Sequence, residues 1–256
     1  MIYLYGLSDA PSDSLKKEVV GLQGLQGPVQ VAAAGPWSLI FSAHEDAEIL
    51  PKRRLMLAHT RVLEQAIPHG TVLPARFGLL ADDLQDAQRL IAARADQVQA
   101  QMARVDGCVE VGLRVSFPRQ GALDATIADD ASLRLTRDRL AGRGAEAHYA
   151  IAEFGGKLAE RLDRRRGAAQ SEMLKALLPH VRDHVLRAPE TDTEVLRAEF
   201  LLPREDIADF EARVVGSVSQ LQFAPLAEPT IQIIGPVPIY NFVQLSLSPD
   251  TEERAA

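Results

Sequence analysis

From Val109 to Phe117 every second residue is apolar: Val109, Val111, Leu113, Val115 and Phe117 alternate with Glu110, Gly112, Arg114 and Ser116. A period of two over nine residues reads as a β-strand with one face in a core and one face wetter. Just before it, Leu84, Ala87, Ile91, Val98, Met102 and Val105 fall at helical spacing. They form the stripe of one long helix laid on a sheet. The same succession recurs later. Leu196, Ala198, Phe200 and Leu202 alternate as a strand, Ile207, Phe210, Val214, Val218 and Leu221 mark a helix, and residues 231–234 mark a last strand. Strands and helices alternating in this way predict an α+β fold of two α/β-sandwich, ferredoxin-like domains.

The rest of the chain fits that frame. Residues 2–7 form a short apolar run closed by Gly6 and Pro11, read as a buried strand and turn. Leu15, Val19 and Leu22 predict a helix with Ser12 as N-cap, ended by the GLQGLQG run at 21–27. Two strands follow near Val29 and Leu39, then a long helix over about 52–67. Residues 118–130 read as a loop or linker. Residues 145–187 read as mainly helical, with a hairpin break at Gly167 and Val181 and Val185 on the second arm. Pro203 is placed as the first residue of the next helix. The expected domains are 1–117, α+β; 118–245, α+β with a long helical hairpin and an extended C-terminal tail; and 246–256, a disordered tail.

Composition narrows the function classes. The 256 residues are 46% hydrophobic and 25% charged, enough to bury a sizeable core. A net charge of -7 disfavours a phosphate backbone as partner. The single cysteine, Cys108, cannot form an internal disulfide and reads as a small buried hydrophobe at the start of its strand. The N-terminus lacks the pattern of a signal peptide and no run is long enough to span a bilayer, so a soluble, cytoplasmic protein without membrane attachment is expected.

The sequence shows no catalytic constellation. His180 and His184, read as four apart on a helix, could share a metal, but HVRDH lacks the glutamate of HExxH and a third ligand. They read instead as a solvated helix face. Arg164, Arg165 and Arg166 form the one basic cluster and read as positive charge at a helix C-terminus before Gly167. No phosphate loop, dinucleotide fingerprint or nucleophile elbow occurs. The expectation is no catalytic residue, no cofactor, no metal and no nucleic acid.

Two segments are apolar, aromatic and proline-bearing at once: TVLPARFGLL at 71–80 and IIGPVPIYNFVQL at 233–245. With Tyr3-Leu4-Tyr5-Gly6-Leu7 at the start, they carry a resemblance. The sequence resembles the GvpL/GvpF family of gas vesicle proteins, whose members open on a YLYGI-like strand. They continue through a His-Glu-Arg helix into a VLPxRFGT segment, and end near a GPWPPYSFV-like motif. The counterparts are His59, Arg61, Val62 and Leu63, then Val72, Leu73, Pro74, Arg76, Phe77 and Gly78, with Gly107 and Glu110 opening the following strand. The last set is Gly235, Pro236, Pro238, Tyr240, Phe242 and Val243. Thr60, Leu79, Val237 and Ile239 depart from the pattern.

The resemblance implies a non-catalytic accessory protein, a minor vesicle component or an assembly and nucleation factor, for the gas vesicles that give cells buoyancy. Its implied partners are the small hydrophobic shell protein and other accessory proteins. Arg76, Phe77, Gly78, Gly235, Pro236, Pro238, Tyr240 and Phe242 are the candidate interaction or structural residues. Phe77 is expected to be buried, and Tyr240 and Phe242 to face one side as paired anchors. The alternative is a small-molecule sensor or enzyme on a duplicated α+β fold, marked by a pocket with perturbed carboxylates. An RNA-binding sheet would require more aromatics than Tyr3 and Tyr5.

Overall fold

A computed structural model describes residues 1–46, 48–143 and 147–243; the expected tail at 246–256 lies outside the described residues. The chain divides into two compact units, Met1–Glu110 with Pro236–Ala256, and Val111–Gly235. The division passes inside a strand rather than after residue 117. Pro118 marks where that strand stops, but the packing partition comes earlier, and the C-terminal segment belongs to the first unit.

The first unit runs β1 (Ile2–Ser8), α1 (Ser12–Val19), β2 (Val29–Ala34), β3 (Trp37–Ala43), α2 (Arg53–Ala66), β4 (Val72–Pro74), β5 (Leu80–Ala81), α3 (Leu84–Ala93) and α4 (Ala95–Val105). Its sheet has the order β2-β3-β1-β4, with β5 also on β1. β1 pairs antiparallel with β3, β4 and β5, and every residue from Tyr3 to Ser8 is buried. That is why its sequence is a continuous apolar run rather than an alternating one. Gly6 is required by this pairing: a Cβ there would stand 2.5 Å from the Leu73 carbonyl oxygen on β4.

The helix read across 84–105 is two. Arg94 leaves helical geometry (φ -116, ψ 21) between α3 and α4, yet Ala87, Ile91, Val98, Met102 and Val105 are all buried as the stripe requires. Ser12 is not a cap: α1 begins at Ser12 itself after Pro11, and the Ser12 hydroxyl bonds Ser38 Oγ at 2.7 Å.

The second unit is built from β6 (Cys108–Ser116), α5 (Arg119–Asp129), α6 (Ala131–Leu140), α7 (His148–Leu177), β7 (Asp183–Leu186), β8 (Glu194–Pro203), α8 (Ile207–Gln220) and β9 (Thr230–Val237). β6 and β9 each cross the division between the units. The sheet order is β7-β8-β6-β9. Counted along the chain, both sheets therefore read second, third, first, fourth strand. That order, with a helical crossover after the first and third strands, is the ferredoxin-like split βαβ arrangement. The fold is a duplicated α+β fold.

Three expectations are corrected here. Residues 118–130 are not a loop but contain α5, whose Ala122, Thr126 and Ile127 are buried. No break occurs at Gly167, because α7 runs through it for 30 residues, about 45 Å. The helical hairpin exists, but its arms are α6 and α7. Arg161, well inside α7, binds Asp130 at the start of α6 at 2.9 Å, which sets the two helices antiparallel. Finally, Val181 and Val185 are not on a helix: β7 carries Val185, and Val181 precedes it in extended conformation.

Candidate functional site

The motifs behind the resemblance converge in the first unit. β1 presents Tyr3 and Tyr5, buried and in edge contact with ring centroids 4.9 Å apart. α2 supplies His59, on the same buried stripe as Val62, Leu63 and Ala66. The Tyr3 hydroxyl bonds His59 Nδ1 at 2.7 Å. The Gly78 N–H also donates to the Tyr3 oxygen, at 3.5 Å. Burial pushes the His59 imidazolium pKa down to about 4, with the Ala75 carbonyl partly opposing the shift. His59 Nε2 has no well-formed hydrogen bond, so the ring is held neutral mainly by desolvation. Burial raises Tyr3 as well, so its phenol stays protonated.

The TVLPARFG segment closes over this cluster. Ala75 N–H donates to the Tyr5 carbonyl at 2.8 Å, and Phe77 lies 6.2 Å from Tyr3 and 5.9 Å from His59, ring centre to ring centre. Phe77 is half-buried, not buried, because it lids the aromatic cluster instead of filling its middle. Gly78 takes φ +89, a left-handed conformation that a side chain would strain. Arg76 is exposed, and no described residue pairs with it.

The C-terminal segment completes the site. Glu110 is buried, and its carboxylate accepts from the Asn241 backbone N–H at 2.9 Å and the Asn241 side-chain amide at 2.6 Å. Gly235 and Pro236 lie in β9, and Pro238 follows it. After Pro238 the chain turns, so Tyr240 and Phe242 do not share a face. Ile239 and Phe242 are buried, while Tyr240 stays 40% exposed. The Tyr240 ring sits 6.2 Å from His59, and its hydroxyl interacts with the Thr60 side chain, its pKa pushed up to about 12 by burial of the ring. The inward pair is therefore 239 and 242, because a turn replaces the strand that would have given alternation.

Sequence reasoning named Tyr240, Phe242 and the Arg76-Phe77-Gly78 run, but missed His59 and the Glu110–Asn241 clasp as organising contacts. The available signal for His59 was its place on an apolar stripe with Val62, Leu63 and Ala66. For Glu110 it was an acid inside an otherwise buried strand.

Residues singled out elsewhere have structural uses. His180 closes a short turn and His184 lies on β7 with its ring stacked on Phe200, so the pair does not share a helix. Among the described residues no group of three or more His, Cys, Asp or Glu side chains is placed to hold a metal. The arginine cluster is not at a helix end. Arg165 binds Asp129 and the Phe223 carbonyl, tying α7 to its surroundings, and Arg166 pairs with Asp163 within the helix. Glu199 is a perturbed carboxylate, raised by burial, with Arg187, Arg197 and Arg114 opposing the shift. It lies over Gly112 on the sheet, beside Arg114 and Arg197, which both pair with Glu190. Among the described residues no helix is long and apolar enough to cross a membrane.

A twice-used ferredoxin-like scaffold, with Tyr3, His59, Phe77 and Tyr240 gathered in one aromatic cluster, places the chain among duplicated α+β proteins. The chain belongs to the family described as "Gas vesicle synthesis protein GvpL/GvpF", which it matches over residues 1–244. It is 27% identical over 94% of its length to Gas vesicle protein F of a Streptomyces species, covering 99% of that relative. It is 28% identical to Gas vesicle protein F of Microcystis aeruginosa, with 83% of this chain and 87% of the relative covered. The crystal structure of GvpF from Microcystis aeruginosa superposes with a TM-score of 0.71 at 25% identity, over 95% of this chain and 99% of that one. The crystal structure of GvpF from an Anabaena species shares the fold, with a TM-score of 0.80 at 24% identity over 96% and 98% of the two chains.

Proposed function

We propose that this chain is a non-catalytic accessory factor that binds the small hydrophobic shell protein, together with other accessory proteins, while gas vesicles are nucleated and assembled in the cytoplasm. One observation carries the reading. At the motif site Tyr3 is hydrogen-bonded to His59 and Glu110 to Asn241, while Arg76 and Tyr240 remain at the surface. A charged and an aromatic side chain left outside a rigid scaffold suit recognition of a partner. The test is retention of purified shell protein on the immobilised full-length chain, paired with vesicle formation in cells that lack the native gene. Wild type retains the shell protein, whereas Arg76→Ala with Tyr240→Ala loses retention and vesicles yet keeps a cooperative melt. Failure of the wild type to retain it, or full activity of the double variant, overturns the proposal.

A further inference from the structure

The first turns of α2 project from the core of their unit. Arg53, Arg54, Met56 and Leu57 are exposed, Leu55 and Ala58 are half-buried, and the first buried residue of the helix is His59. Three large apolar side chains stand out on this stretch and its approach: Leu50 is 60% exposed, and Met56 and Leu57 are each 47% exposed. Between Glu48 and Glu64, the acids that bound the stretch, the charge is of one sign. From residue 49 to residue 63 the chain has Lys52, Arg53, Arg54 and Arg61 and no Asp or Glu, within a protein of net charge -7. Arg53, Leu57 and Arg61 succeed one another at intervals of four, which places them along one ridge of the helix.

None of these four cations has a partner among the described residues. The acids just upstream, Glu45, Asp46 and Glu48, form no ion pair with them, and Asp46 accepts instead from Gln26 Nε2 at 2.5 Å. Apolar area next to unpaired positive charge is an unfilled complement on both counts.

We infer that the exposed ridge of α2 is a docking surface for an acidic amphipathic helix of a partner protein. The partner lays its apolar face on Leu50, Met56 and Leu57, and its carboxylates meet Arg53, Arg54 and Arg61. The inference does not rest on the identity of the shell protein as partner. A membrane is disfavoured because three side chains give little area to insert, and stable attachment needs more than one weak signal.

The experiment uses the full-length protein and two synthetic amphipathic helices with the same leucine face, one with glutamate and one with lysine on the polar face. Fluorescence anisotropy is expected to show the glutamate peptide binding at least about tenfold more tightly, with the difference shrinking at high salt. Arg53→Glu with Arg54→Glu abolishes that preference, and Leu57→Ser weakens both peptides, while melting is unchanged because all three positions are exposed. Equal binding of the two peptides, no effect of the charge reversal, or stronger binding to phosphatidylglycerol vesicles or single-stranded RNA than to the glutamate peptide overturns the inference. Loss of shell-protein retention with the peptide preference intact would sink only the proposed function.

Discussion

His59 shows how one buried side chain sets a condition on the whole first unit. Its ordinary pKa near 6.5 falls to about 4 in the folded chain, so the unfolded chain binds the extra proton between those values. Folding stability is then whole above pH 6.5 and declines as pH falls toward 4, by about 3 kcal/mol in all at 1.36 kcal/mol per pH unit. Chemical denaturation of wild type and His59→Gln across pH 4 to 7 checks this. The variant is less stable at neutral pH, and its stability falls less steeply through that window. Parallel curves would mean that His59 titrates in the native state as it does in water. At Gly78, φ +89 leads to a second expectation. Gly78→Ala costs about 1–2 kcal/mol without a steric clash, since open space surrounds the Cβ position. An unchanged melting midpoint would show that the turn relaxes.

At the scale of elements, the C-terminal turn is held by a side-chain clasp more than by strand pairing. Asn241→Leu removes the side-chain amide donor from the buried Glu110 carboxylate, which costs about 1.5–3 kcal/mol. Adding Glu110→Gln recovers part of the loss, and the double-mutant cycle in urea gives the coupling. A loss below about 1 kcal/mol for Asn241→Leu would show that Ile239 and Phe242 hold the turn alone. The elements most legible in the sequence were those with one strong period. β6 forms where the alternation put it, although Glu110 and Gly112 are buried with the apolar set and only Arg114 and Ser116 are wetter. α8 buries Phe210, Val214 and Val218 as its stripe demands. α5 was hidden because its buried positions are Ala122, Thr126 and Ile127, too small and mixed to form a stripe. The continuity of α7 was missed because a lone glycine costs a helix only about 1 kcal/mol, which the good helix formers on either side, Arg164 to Arg166 and then Ala168, Ala169 and Gln170, easily offset. Val181 and Val185 misled because a spacing of four fits a helical turn and two strand periods equally. Of the candidate site, the motif residues could be named from sequence, but their partners could not: Glu110 and Asn241 meet across 131 positions of chain.

At the scale of the whole molecule the two units share a strand order yet differ in continuity. The second is one uninterrupted stretch, Val111–Gly235, while the first needs residues from both ends of the chain. Its C-terminal contribution is specific: Ile239 and Phe242 bury apolar surface, and Asn241 satisfies Glu110. A fragment of residues 107–237 keeps β6 and β9 whole and so retains all four strands of its sheet and every helix packed on it. It is expected to melt cooperatively on its own. A fragment of residues 1–110 keeps its sheet but exposes the apolar surface that Ile239 and Phe242 cover and strands the Glu110 carboxylate without its amide partner. It is expected to lack a cooperative transition, and a peptide of residues 236–243 is expected to restore one by binding the folded form preferentially. Circular dichroism melts of both fragments, with and without the peptide, decide the matter. Cooperative folding of residues 1–110 alone would show that the tail decorates a finished unit; its dependence on the peptide would make the C-terminal motif the last piece of the first fold.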